Sequence, residues 1–249
     1  MAGHSKFKNI MHRKGAQDKK RAKLFSRLIR EISVSAKLGS PDPTSNPRLR
    51  SAINNALSSN MTKDTIDKAI KKNSGQDDKN SIEEITYEGF GPLGIAIIVE
   101  SMTDNKNRSA SEIRSTFSKY NGNLGISGSV RHNFKKVGII TYAKEVTTFE
   151  NFFEFCVSLN INDVIENDNS FDVETDLEAF SQTLEALENK YSVPQFTSLE
   201  WKPLNTIEIS NQDDAKSLLI LLEKLEELDD VQNVFANFNI NETLMEKLI

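Results

Sequence analysis

Ten of the first thirty residues are lysine or arginine (Lys6, Lys8, Arg13, Lys14, Lys19, Lys20, Arg21, Lys23, Arg27 and Arg30), opposed by one acid, Asp18. Cations at this density do one kind of chemistry: they hold a polyanion through its phosphates and displace its counterions. Phe7, between Lys6 and Lys8, places an aromatic ring among them for stacking, and His4, Ser5 and His12 add hydrogen-bonding groups. The candidate nucleic-acid contacts are therefore His4, Ser5, Lys6, Phe7, Lys8, His12, Arg13, Lys14, Lys19, Lys20, Lys23, Arg27, Arg30, Arg48 and Arg50. Asn107 and Arg108, in the string TDNKNRS, are candidates for a secondary contact. Capping of the helix that follows is the simpler account of that string.

No catalytic constellation can be assembled. The three histidines, His4, His12 and His132, show no HExxH or other metal-ligand spacing, so neither a metal nor a cofactor is expected and the chain reads as a non-enzyme. The glycine-rich GNLGISG (residues 122–128) looks like a phosphate cradle. It lacks the Lys–Ser/Thr of a P-loop and has the wrong spacing for a dinucleotide fingerprint, so turn-forming glycines explain it better. Cys156 sits in the apolar run FFEFCV and reads as a small buried hydrophobe.

The charge asymmetry extends to the whole chain. Residues 1–79 hold 18 basic and 7 acidic side chains, whereas residues 80–249 hold 13 and 29. A +11 end joined to a −16 body describes a protein that grips a polyanion with one domain and holds the rest away from the phosphates or offers it to another partner. A single cysteine fits a reducing compartment, no apolar run reaches membrane-spanning length, and no secretory leader is visible. The expectation is a cytoplasmic, soluble monomer with no membrane attachment. A basic amphipathic helix can lie on lipid, but its apolar stripe is better used by the helices that follow.

The elements that must position these residues follow from periodicity. Residues 1–16 read as an irregular basic arm. Asp18–Leu38 is helical, with Ala22, Phe25, Leu28, Ile29, Ile32 and Ala36 on one stripe and Lys19, Lys20, Lys23, Arg27 and Arg30 on an opposite arc of about 100°. Gly39 stops it; Asn46–Pro47 opens a second helix to Ser58, and Thr62 caps a third over Lys63–Lys72. After the linker GQDDKN come strands Ile82–Glu88 and Gly94–Glu100, helix Ser109–Tyr120, and a strand Ser129–Phe134. Residues 137–203 give strand Val137–Tyr142, helix Phe149–Leu159, strands Ile161–Glu166 and Phe171–Glu174, helix Asp176–Lys190 and strand Phe196–Trp201, the ferredoxin-like order. Helix Asp213–Glu227 and strand Val231–Phe238 complete the preceding α/β layer. The fold class is α+β multidomain: a basic arm and three-helix domain (1–78), an α/β middle domain (79–134 and 205–249), and an acidic ferredoxin-like domain inserted into it (135–204). The helical domain then hangs on the single linker around Gly75–Asn80, where relative motion is expected to be greatest.

The string GHSKFKNIMHRKGAQDKKRAKLFSRLIREISVSAKLG, with DPTSNPRLRSAI, NMTKDTIDKAIKK, YEGFGPLGIAIIVESMTDNKNR, GNLGISGSV and LDDVQNVFANF, resembles the YebC/PmpR family across essentially the whole chain. Members of that family are called probable transcriptional regulators, and one is the mitochondrial translational activator of cytochrome c oxidase subunit I. The resemblance implies three domains, the third inserted into the second, and a partner that is DNA or ribosomal RNA, the latter with the ribosome itself. On residues alone the balance leans to RNA, because residues 17–37 offer phosphate contacts but few base-reading Asn or Gln side chains. The chain departs from the family pattern at Phe7 (usually Trp), Ala22 (Gly), Thr62 (Pro), Asn73 (Gly) and His132 (an aromatic); none removes a cation.

Overall fold

The computed structural model describes residues 17–72, 82–159, 161–241 and 243–245. It is α+β and multidomain, with a helical N-terminal domain, an α/β middle domain and a ferredoxin-like domain inserted into the middle one. These residues fall into two compact units, 17–20 with 82–135 and 201–245, and 21–72 with 136–200.

Three helices, α1 (Gln17–Leu38), α2 (Pro47–Ser58) and α3 (Lys63–Lys72), enclose a core of Leu28, Ile32, Leu49, Ala52, Ala56 and Ile66. One asparagine sets two of their ends. Asn46 Oδ1 accepts the Leu49 N–H at 3.1 Å, capping α2, while its Nδ2 donates to the Ser35 carbonyl at 2.8 Å and the Ser40 carbonyl at 2.7 Å, closing α1. Gly39 is required beside it, since a Cβ there would lie 2.6 Å from Asn46 Nδ2. Ala22, expected on the apolar stripe, is exposed; the stripe begins at Phe25, where α2 and α3 start to cover it.

In the middle domain β1 (Glu83–Phe90) and β2 (Ala96–Thr103) form an antiparallel hairpin closing at Phe90↔Ala96. Its tip carries Leu93 at φ 61° and Gly94 at φ 72°. Helix α4 (Lys106–Lys119) and strand β3 (Asn123–Leu124) follow, and the sheet order is β3-β1-β2-β9, with β9 spanning Val231–Ala236. Helix α7 (Gln212–Glu227) and α4 cover one face, burying Ile97, Val99, Phe117, Leu221 and Val234. Ala96, Ile98 and Phe235 on the other face pack with Val130, Phe134 and Trp201.

The inserted domain runs β4 (Phe134–Ala143), α5 (Phe149–Ser158), β5 (Asp163–Glu166), β6 (Ser170–Asp176), α6 (Phe180–Tyr191) and β7 (Phe196–Pro203). The strand order β5-β6-β4-β7 is the ferredoxin-like one. Ile140, Tyr142, Phe152, Cys156, Phe171 and Leu187 form its core. Cys156 is fully buried, and burial pushes its thiol up to about 12, so it packs as a hydrophobe.

Several sequence expectations are corrected. Residues 129–133 are not strand: Arg131–Asn133 is a 3-10 turn and β4 starts at Phe134. Helix α4 starts at Lys106, three residues early, because Asn105 supplies the cap. Residues 176–179 end β6 and turn, so α6 starts at Phe180. The run 231–238 splits at Asn237. Its last part, β10 (Phe238–Ile240), leaves the sheet to pair in parallel with β8 (Ile207–Ile209), a strand too short to carry a signal. The linker around Gly75–Asn80 lies outside the described residues. The helical domain does not hang on it alone, however: Asn55 Nδ2 donates to the Thr197 carbonyl at 2.7 Å, and Asn55 Oδ1 accepts the Thr197 N–H at 2.9 Å. An amide side chain on α2 thus mimics a neighbouring strand on β7, the edge of the inserted sheet.

Candidate nucleic-acid interface

Of the fifteen candidate contacts, His4, Ser5, Lys6, Phe7, Lys8, His12, Arg13 and Lys14 lie outside the described residues. Lys19 and Lys20 fall in the first turn of α1, their side chains outside the described set. The other five are placed. Lys23, Arg27 and Arg30 project from one side of α1, as the 100° spacing requires, but all three are half-buried and engaged within the chain. Val34, between Lys23 and Arg27 on the helical wheel, is 2% exposed. The cation arc of α1 is therefore partly covered within the chain rather than fully open to solvent.

Arg48 is exposed yet held: its Nε lies 2.7 Å from Glu31 Oε1 and its Nη2 3.1 Å from Glu31 Oε2, a two-pronged pair across α1 and α2. Ser35 donates to the same carboxylate at 3.1 Å. Arg50, one turn into α2, is exposed, as is Arg21, whose guanidinium sits 5.3 Å from the centroid of Phe25.

The string TDNKNRS caps α4, with Asn105 Oδ1 accepting the Arg108 N–H at 3.1 Å. Arg108 stays exposed while pairing with Asp104 and Asp230, each at 2.8 Å, and Asn107 beside it is exposed as well. Asp230 is a node that sequence reasoning missed. At 4% exposure it accepts from Thr103 Oγ1 at 2.9 Å, Ser109 Oγ at 2.5 Å and Arg108 Nη2. Burial pushes its carboxyl up, but the Ser109, Arg108 and Thr103 hydrogen bonds pull it further down, to below the usual carboxylate range. The Ser109–Asp230 pair resembles an activated hydroxyl, but Ser109 is 1% exposed and beyond the reach of a substrate.

The GNLGISG loop holds a second missed carboxylate. Glu88 is 2% exposed; its Oε1 accepts the Gly128 N–H at 2.8 Å and its Oε2 the Val130 and Arg131 N–H groups at 2.8 and 2.9 Å. Burial pushes the Glu88 carboxyl up, and the three amides with the Arg131 guanidinium bring it below its ordinary value. The loop does receive an anion, from its own chain. Residues 130 and 131 give their amides to Glu88 instead of a ladder, which is why the expected strand at 129–133 is absent.

An α+β fold with an inserted ferredoxin-like domain and a basic helical end defines the class. Residues 5–76 match the family model of the TACO1/YebC protein N-terminal domain, and residues 82–238 that of the TACO1/YebC second and third domain. The chain belongs to the TACO1/YebC family. It is 50% identical over 248 residues, covering 100% of this chain and 98% of the relative, to a probable transcriptional regulatory protein of Rickettsia bellii. To one of Rickettsia typhi it is 49% identical over 247 residues, covering 99% and 98%. A conserved hypothetical protein of Aquifex aeolicus, solved by crystallography, superposes with TM-score 0.84 at 41% identity, covering 90% of this chain and 93% of that one. Among the described residues no helix is long and apolar enough to cross a membrane.

Proposed function

We propose that this chain is a non-enzymatic, nucleic-acid-binding regulator of gene expression, a monomer acting in the cytoplasm. It grips phosphates with the basic arm and helical domain, residues 1–78, while the middle domain (79–134 and 205–249) and the inserted acidic domain (135–204) stand off the polyanion. The observation that carries this reading is the charge split, 18 basic against 7 acidic side chains in residues 1–79 and 13 against 29 beyond, on a family whose relatives are named transcriptional regulators. DNA is the target those names favour. The alternative is ribosomal RNA on the ribosome, favoured by the scarcity of base-reading side chains along residues 17–37 and by the translational activator in the family.

The test measures binding of the full chain to duplex DNA and to ribosomal RNA fragments over a salt series, alongside ribosome co-sedimentation and promoter pull-down from lysate. A steep fall of affinity with salt is expected. Co-sedimentation without promoter capture assigns ribosomal RNA, and the reverse assigns DNA. A salt-independent complex, or none with either polyanion, overturns the reading.

A further inference from the structure

Helix α5 turns Phe152 and Cys156 into the core of the inserted domain, both 0% exposed. A second apolar stripe runs beside that inner face at four-residue spacing: Phe149 half-buried, Phe153 45% exposed and Val157 57% exposed. The stripe is stiff. The Phe149 ring stands 5.7 Å from both Phe153 and the buried Phe171, so the exposed Phe153 ring is backed by the core through Phe149. A single exposed hydrophobe is ordinary, but an aligned and braced row is the mark of a contact face.

The surroundings say what would cover it. Glu150 and Glu154, each next in sequence to a stripe residue, are exposed, and α5 carries no base. The nearby cations are already used: Lys144 is 2.7 Å from Glu166, and Lys190 lies 4.5 Å over Phe155. Residues 135–204 hold 13 acids and 5 bases, so a nucleic acid or an anionic lipid surface is repelled. A second copy packed helix to helix would set Glu150 and Glu154 against their own counterparts.

We propose that the α5 stripe docks a basic amphipathic helix of a partner protein, its apolar ridge seated along Phe153 and Val157 and its Lys or Arg side chains paired with Glu150 and Glu154. The site is independent of the nucleic-acid reading and gives the acidic domain a partner.

The probe is a fluorescein-labelled Leu/Lys amphipathic helix of about 18 residues, titrated with the full chain by anisotropy. Binding is expected, with an affinity that falls at least about tenfold in the double variant Phe153→Ser, Val157→Ser and several-fold in Glu150→Gln, Glu154→Gln. A scrambled peptide of equal charge is expected to bind about tenfold more weakly. Nucleic-acid affinity is expected to stay unchanged in all variants, whose circular dichroism reports that they fold. Equal peptide binding by the serine double variant overturns the proposal. So does a sedimentation shift from dimer to monomer in that variant, which would make a second copy the occupant.

Discussion

Helices α1 and α5 invert each other. The face of α1 opposite the helical core holds Lys23, Arg27 and Arg30, yet those cations are half-buried and Val34 among them is closed off. Helix α5 reads as a mainly apolar run, yet two of its large hydrophobes face water. Periodicity tells which residues share a face, but the neighbours of that face decide what is covered. A charge arc is therefore not automatically a surface, nor an apolar run automatically core.

The sharpest test of the inversion uses adjacent rings. Phe152→Ala should cost about 3–5 kcal/mol, because a fully buried ring leaves a cavity, whereas Phe153→Ala should stay within about 1 kcal/mol. Urea midpoints measure both, and equal losses would erase the distinction. On α1 the companion is Val34→Asp, expected to cost more than about 3 kcal/mol because it places a lone carboxylate at a closed position. A Val34→Asp protein as stable as the parent would show that the arc is open after all.

The two internal carboxylates are next in size. Glu88→Ala strands three backbone N–H donors and should cost about 2–4 kcal/mol. Glu88 and Asp230 both have folded pKa values below their ordinary 4.5 and 3.8. Their contribution is thus fully present above those values and is lost as pH falls through the lower folded ones. The urea midpoint should hold from about pH 7 to 5 and decline below about 4.5. In Glu88→Gln it should start lower and decline less, so that the two curves converge in acid. Parallel curves would assign the acid limb to other groups.

Sequence and structure agree where the determinants are local. Asn46–Pro47 marks a helix start because cap and proline act within one turn, and the ferredoxin-like order is legible because each of its elements is long enough to carry a period. The partners of Glu88 lie 40 to 43 residues away and those of Asp230 121 to 127 away, so neither carboxylate announces itself. In TYEGF the glutamate looks like the outward member of an alternating strand. For the candidate interface the sequence conveys the sign of the charge and which residues share a side, but not how far that side is covered.

A smaller effect concerns Asn55. Losing its two hydrogen bonds to Thr197 in Asn55→Ala should cost about 1–2 kcal/mol. The loss should appear first as faster amide exchange along β7, with little change in β5 at the far edge. Uniform exchange across the sheet would mean that the contact does not hold that edge.

The smallest expected effect separates two arginines two residues apart. Arg50 is exposed, whereas both prongs of the Arg48 guanidinium are committed to Glu31. If phosphates are held by cations free to meet them, Arg50→Gln should lower the slope of log affinity against log salt by about 0.7–0.9, the share of one phosphate contact. Arg48→Gln should change that slope less, because its charge is already compensated. It should instead cost up to about 1 kcal/mol of stability, the upper range for an exposed pair. The reverse order would mean that the Glu31 pair opens on binding and that Arg48, freed from it, is the residue that reaches the phosphate.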